Sequence, residues 1–157
     1  MKFSDSKANF DKFWSDNIVK SYSYVMQSKD HWSGTFFSNK TYTDKAIKHY
    51  CYTALVLFND LTRNILAFED PLATQKYFND AMTQVQKGLA EFNILHLESE
   101  IKNAIDVTVK RLNTIHNEFL FRIEHRTLYD LNHPSIRYEP FKECADDVSG
   151  TFFAMKM

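Results

Sequence analysis

The sequence predicts an all-α protein, an up-down four-helix bundle with an irregular C-terminal tail, and three observations predict it. Only three glycines and three prolines interrupt the 157 residues, against an average usage of ~7% and ~5%, so turn punctuation is scarce and the segments between turns are long. Apolar residues recur in alternating steps of four and three, the period of one helix face. The connections between these stretches are short, which makes successive helices antiparallel neighbours. One domain is expected at this length: a bundle over residues 1–131 and a tail over 132–157 that packs on the bundle or on a partner.

The first helix is expected from about Ser6 to Gln27, with Phe10, Phe13, Trp14, Ile18, Tyr22 and Val25 forming its stripe. A connection from Ser28 to Tyr42 follows, and Thr43 is the expected N-cap of a second helix reaching Phe68, because its hydroxyl can accept from an early unpaired amide. That helix carries the clearest period of the chain: Ile47, Cys51, Ala54, Phe58, Leu61, Ile65 and Phe68 form a coiled-coil-like seam. Asp70-Pro71 restarts the chain as an acidic cap followed by proline at the first helical position, where the missing N–H costs nothing. Phe78, Met82, Val85, Leu89 and Phe92 mark the third helix, with Gly88 inside the pattern. After a break near Asn93 to Leu97, a fourth helix is expected from Glu98 to about Leu131. Its stripe is Ile101, Ile105, Leu112, Ile115, Phe119 and Ile123, widened by Val109, Leu120 and Leu128. The remaining residues read as irregular, with a short helix around Phe141 to Val148.

One phrase occurs twice. Ser33-Gly34-Thr35-Phe36-Phe37 and Ser149-Gly150-Thr151-Phe152-Phe153 are identical, yet the residues around them do not match, so a tandem repeat is not indicated. Each copy suits a short strand or an aromatic hook, because Thr and Phe favour extended backbone and Gly permits a sharp entry. Apolar plugs over the bundle ends and an interface are the two roles such segments would have.

Composition excludes several functions. Nineteen basic and twenty acidic residues give a net charge of -1, so no global positive field marks a nucleic-acid or membrane partner. The two cysteines, Cys51 and Cys144, have no CxxC spacing, which reads as reduced and cytoplasmic. The N-terminal residues lack the apolar run of a signal peptide, and no apolar stretch approaches the ~20 residues of a membrane span. No Glu has a His three positions on, and no two His stand at i, i+4, so neither a di-metal carboxylate bundle nor a helical zinc site is expected. Haem attachment, a GxSxG elbow and a phosphate-cradling glycine loop are also missing. No cofactor is expected.

Two Arg/His pairs carry the remaining catalytic chemistry: Arg111 with His116, spaced R-x4-H, and Arg126 with His133, spaced R-x6-H. Both resemble the R-x4-6-H signature of the HEPN helical-bundle ribonucleases. The resemblance implies a metal-independent RNA-cleaving cleft shared by paired subunits, with His exchanging a proton and Arg holding phosphate. It covers six or eight residues of the chain. Leu112 follows Arg111 where that family often has a polar residue, and Arg63-Asn64 has the favoured start but Phe68 in the histidine position. The structural alternative makes Arg111 a solvated charge and His116 a half-buried helix residue. Arg122 and Arg126 likewise read as an ion-paired solvated face, with Glu118 one turn before Arg122.

The reading that follows is a small cytoplasmic bundle, more plausibly not an enzyme, that binds another macromolecule as an inhibitor, immunity protein, adaptor or assembly subunit. Its partner is a protein or a second copy of itself, with no membrane role. Trp32, Phe36, Phe37, Phe152 and Phe153 are the expected interface, since large aromatics anchor contacts. A HEPN-like ribonuclease using Arg111 and His116 is the alternative, and a nucleic-acid-binding bundle the second.

Overall fold

The computed structural model describes residues 2–28 and 37–125. Within them the chain forms α1 (Phe3–Phe13), a π-helical turn (Trp14–Val19), α2 (Lys20–Ser28), α3 (Phe37–Asn64) closed by a 3-10 turn (Ile65–Ala67), α4 (Pro71–Asn93) and α5 (Ser99–Glu124). α1, the π-turn and α2 run on as one bent rod. The all-α four-helix bundle is therefore the architecture, with no strand among the described residues.

Side-chain pairs fix the directions. Phe3 meets Phe68, Asn17 meets His49 and Ser28 meets Thr43, so the first rod runs antiparallel to α3. Tyr50 and Phe58 on α3 meet Phe92 and Phe78 on α4, and Phe78 with Phe119 and Leu89 beside Ile105 link α4 to α5, which makes those pairs antiparallel as well. Lys48 with Glu100 and Thr62 with Arg122 show α3 and α5 side by side and parallel. α3 is the central element, packing most extensively on α5 and on the first rod, while α4 bridges those two.

The seam read in α3 is the core. Ile47, Cys51, Ala54, Phe58 and Leu61 are fully enclosed, and Ile65 and Phe68 nearly so. Phe78, Val85, Leu89 and Phe92 from α4, with Leu112, Ile115 and Phe119 from α5, close over it. Phe78 and Phe119 stack at 3.8 Å with planes 8° apart, and Phe58 meets Phe78 edge-on at 5.0 Å. Many of the chain's aromatics thus serve as packing volume. Leu120 is more exposed than its stripe position suggests.

Three expectations need correction. Thr43 does not begin a helix: α3 already starts at Phe37, and Thr43 is buried in it with Oγ1 2.7 Å from Ser28 Oγ. Nothing between Phe37 and Thr43 breaks a helix, so the stronger signal was the missing Gly or Pro. Phe37, the last residue of the first SGTFF, is therefore helical rather than part of a strand or hook.

Asp70 precedes α4 but makes no side-chain cap to it. Its Oδ1 accepts instead from the Phe3 N–H at 2.7 Å, and its carbonyl takes the Thr74 N–H and hydroxyl. The acid caps α1 from 67 residues away. The fourth helix is described to Glu124, and its expected extension to Leu131, the tail and the second SGTFF lie outside the described residues.

The π-turn has a cause in the spacing. Phe10, Trp14, Ile18 and Tyr22 follow one another in three steps of four, and on a 3.6-residue helix each such step overshoots a full turn by about 40°. After three steps the drift is about 120°, roughly one residue's rotation. One wider turn absorbs it and returns Tyr22 to the line of Phe10. Asn17 Nδ2 satisfies the Phe13 carbonyl there at 3.0 Å.

Candidate functional site

Of the expected interface, Trp32, Phe36, Phe152 and Phe153 lie outside the described residues, and Phe37 opens α3. Arg111 and His116 are both half-buried on α5. Five residues separate them, which rotates their side chains about 140° apart. Arg111 stands three turns before Arg122, along the line that packs on α3, where Arg122 donates to the Thr62 carbonyl. His116 lies on the other flank, its ring 5.5 Å from Phe78 of α4, and burial lowers its pKa. Phe68, in the histidine position of the third pair, is core and packs edge-on to Phe3. Arg126 and His133 lie outside the described residues.

Two concavities flank the π-turn. One opens toward α4, about 420 Å³ in volume, with Trp14, Ile18 and Tyr22 on one wall and Tyr50, Gly88 and Glu91 opposite. Gly88 explains itself here. A methyl group at that position would stand 2.3 Å from the Tyr50 hydroxyl and 3.5 Å from the Tyr22 ring. Only glycine lets Tyr50 cross from α3 and donate to the Val85 carbonyl at 3.3 Å.

The adjoining Tyr22 hydroxyl donates to Glu91 Oε2. That bond, then burial, then the charge of Glu91 raise the Tyr22 pKa, so the phenol stays a neutral donor. Burial raises the Tyr50 hydroxyl further. Tyr22 and Tyr50 both pack on Phe92, at 5.8 and 5.0 Å, which fixes the rings from behind. The cleft is a set of electron-rich rings with one carboxylate held by a tyrosine.

The second cleft opens toward α3, about 400 Å³ in volume, and Lys20, Tyr24, Tyr42, Lys45 and His49 line it. Tyr24 and Tyr42 are 41% and 56% exposed, and the Lys45 ammonium sits 5.7 Å from the Tyr42 ring centroid. Asn17 commits its amide nitrogen to the Phe13 carbonyl, so its oxygen faces His49 Nε2 at 3.0 Å, and Nε2 carries the proton. Burial lowers the His49 pKa. The same asparagine thus holds the π-turn and orients the histidine.

Sequence reasoning placed Trp14 and Tyr22 on a stripe but missed the clefts. The available signals were the steps of four and a glycine inside an otherwise strong helix, where it costs about 1 kcal/mol against alanine. Among the described residues, no group of three or more His, Cys, Asp or Glu stands so as to hold a metal ion. No described helix is long and apolar enough to cross a membrane. No family model, curated protein or solved structure matches this chain.

Proposed function

We propose that this bundle acts by binding another macromolecule, a protein partner in the cytoplasm, and that the surface around the π-turn is its contact face. One observation carries the reading. Of the six large apolar side chains exposed among the described residues, Val19, Tyr24 and Tyr42 line the two clefts beside that turn. Aromatic side chains clustered beside concavities are the usual anchors of protein contacts. The buried, unpaired Cys51 thiol fits a reducing compartment. In the alternative reading, RNA cleavage by Arg111 and His116, a second subunit would share the cleft, as the HEPN resemblance implies.

A photo-crosslinking amino acid in place of Tyr42, with a control at the remote exposed Leu72, tests the contact face in cells. The expected result is one adduct of defined mass at position 42 that is absent at 72 and that excess wild-type protein competes away. Equal adduct patterns at both positions would overturn the assignment.

A further inference from the structure

The cleft between the π-turn and α4 has a chemistry more specific than a contact face. Its lining carries the rings of Trp14 and Tyr22 over the buried Tyr50, and its charged residues are Glu91, bonded to Tyr22, and Lys87. Aromatic faces carry negative quadrupole charge and attract cations, most strongly when the cation is poorly hydrated. A volume of about 420 Å³ lies within the range of small-ligand sites. Tyr22 occupies Glu91 Oε2 and leaves Oε1 for a ligand.

Two costly features exist to make this arrangement. The π-turn brings Trp14, Ile18 and Tyr22 into one line, and the glycine in the middle of α4 admits Tyr50. Lys87 also lines the cleft but is an exposed residue on a flexible stem. Its positive charge opposes a cation in the cleft, an effect that solvent screens at an exposed ammonium.

We propose that this cleft binds an N-methylated ammonium group, with the rings of Trp14 and Tyr22 beside the methyl groups and Glu91 balancing the charge. A methylated ammonium suits it better than a bare one, because methyl groups remove the strong hydration that a primary ammonium would have to give up. The group has two sources, a free quaternary amine or a methylated lysine side chain on a protein. The proposal does not depend on the contact face assigned above.

Fluorescence of Trp14 reads the site directly once Trp32, the other tryptophan of the chain, is replaced by Phe. The full chain is titrated with choline, with its neutral carbon isostere 3,3-dimethyl-1-butanol, and with short peptides carrying trimethyllysine or unmodified lysine. Choline is expected to bind more tightly than the isostere by a factor on the order of ten or more. The trimethylated peptide should exceed the unmodified one by a similar factor, and whichever of choline and that peptide binds more tightly names the source. Glu91→Gln should weaken the preference for the cation severalfold, leaving the part due to the rings, while the circular dichroism spectrum is retained. Equal binding of choline and its isostere by the wild-type residues, no saturable response to any probe, or a preference undiminished by Glu91→Gln would each overturn the proposal. The wild-type comparison stands whether or not the variant folds.

Discussion

Replacing Gly88 with Ala should destabilise this protein, although the same change in a free-standing helix would stabilise it by about 1 kcal/mol. The added methyl would stand 2.3 Å from the Tyr50 hydroxyl, far inside contact distance. Tyr50 is buried and its ring is wedged against Phe92, so it cannot simply swing away. Overpacking of this kind costs about 1–3 kcal/mol, and displacing the hydroxyl also forfeits its bond to the Val85 carbonyl, worth about 1 kcal/mol. Set against the propensity gain, the net loss is about 2 kcal/mol.

The partner variant makes the reasoning falsifiable. Tyr50→Phe removes the clashing oxygen and leaves the ring carbon at 3.0 Å, a contact that a shift of a few tenths of an ångström relieves. Gly88→Ala in that background should therefore cost little. Urea unfolding followed by circular dichroism across the four proteins of the cycle measures the coupling, expected to exceed about 1 kcal/mol. A Gly88→Ala protein as stable as wild type, or one equally destabilised with and without the Tyr50 hydroxyl, would refute the account of why glycine sits there.

Glu118 and Arg122 form a buried pair on α5, 3.0 Å apart, with Arg122 also donating to the Thr62 carbonyl. Glu118→Ala leaves the guanidinium buried without its carboxylate and should cost about 3–5 kcal/mol by urea unfolding. His49 and His116 both have pKa values lowered by burial, so the unfolded chain takes up protons first as pH falls. Their contribution is fully present above the unfolded value of about 6.5 and is lost as pH drops through the window down to the lowered folded values. The urea midpoint of wild type, relative to a His49→Gln/His116→Gln protein, should accordingly fall between about pH 8 and about pH 5.5. Burial pushes the Cys51 thiol up to about 12, so a thiol reagent at neutral pH should label Cys51 only as fast as the bundle opens, with labelling measured by mass spectrometry of the Cys51 peptide in native buffer and in urea.

The core was legible in the sequence because each apolar stripe kept to one period. In α3 every residue of the seam from Ile47 to Phe68 is enclosed, and the interior of a long helix leaves no competing signal. The start of α3 was not legible from Thr43, because a threonine that caps and a threonine that bonds a neighbouring helix look alike until Ser28 is placed beside it. Asp70 misled for the same reason, since its carboxylate found Phe3 rather than its own helix. The candidate site was less legible still. Trp14, Tyr22, Tyr50, Gly88 and Glu91 come from three bundle elements, and only the drift of the four-residue steps and the glycine inside a strong helix hinted at the cleft they line. The aromatic residues named from the sequence as an interface mostly lie outside the described residues.

The bond from Asp70 to the Phe3 amide also bears on the order in which the chain can settle as it leaves the ribosome. The first rod emerges with Phe3, Ile18 and Val25 ready to be enclosed, but the carboxylate that caps its beginning lies 67 residues downstream. At synthesis rates of about 5–20 residues per second that interval is roughly 3 to 13 s. Throughout it the rod carries an apolar face with no bundle to receive it, so a nascent chain stalled before residue 70 should be a better chaperone client than one stalled after α4 has emerged.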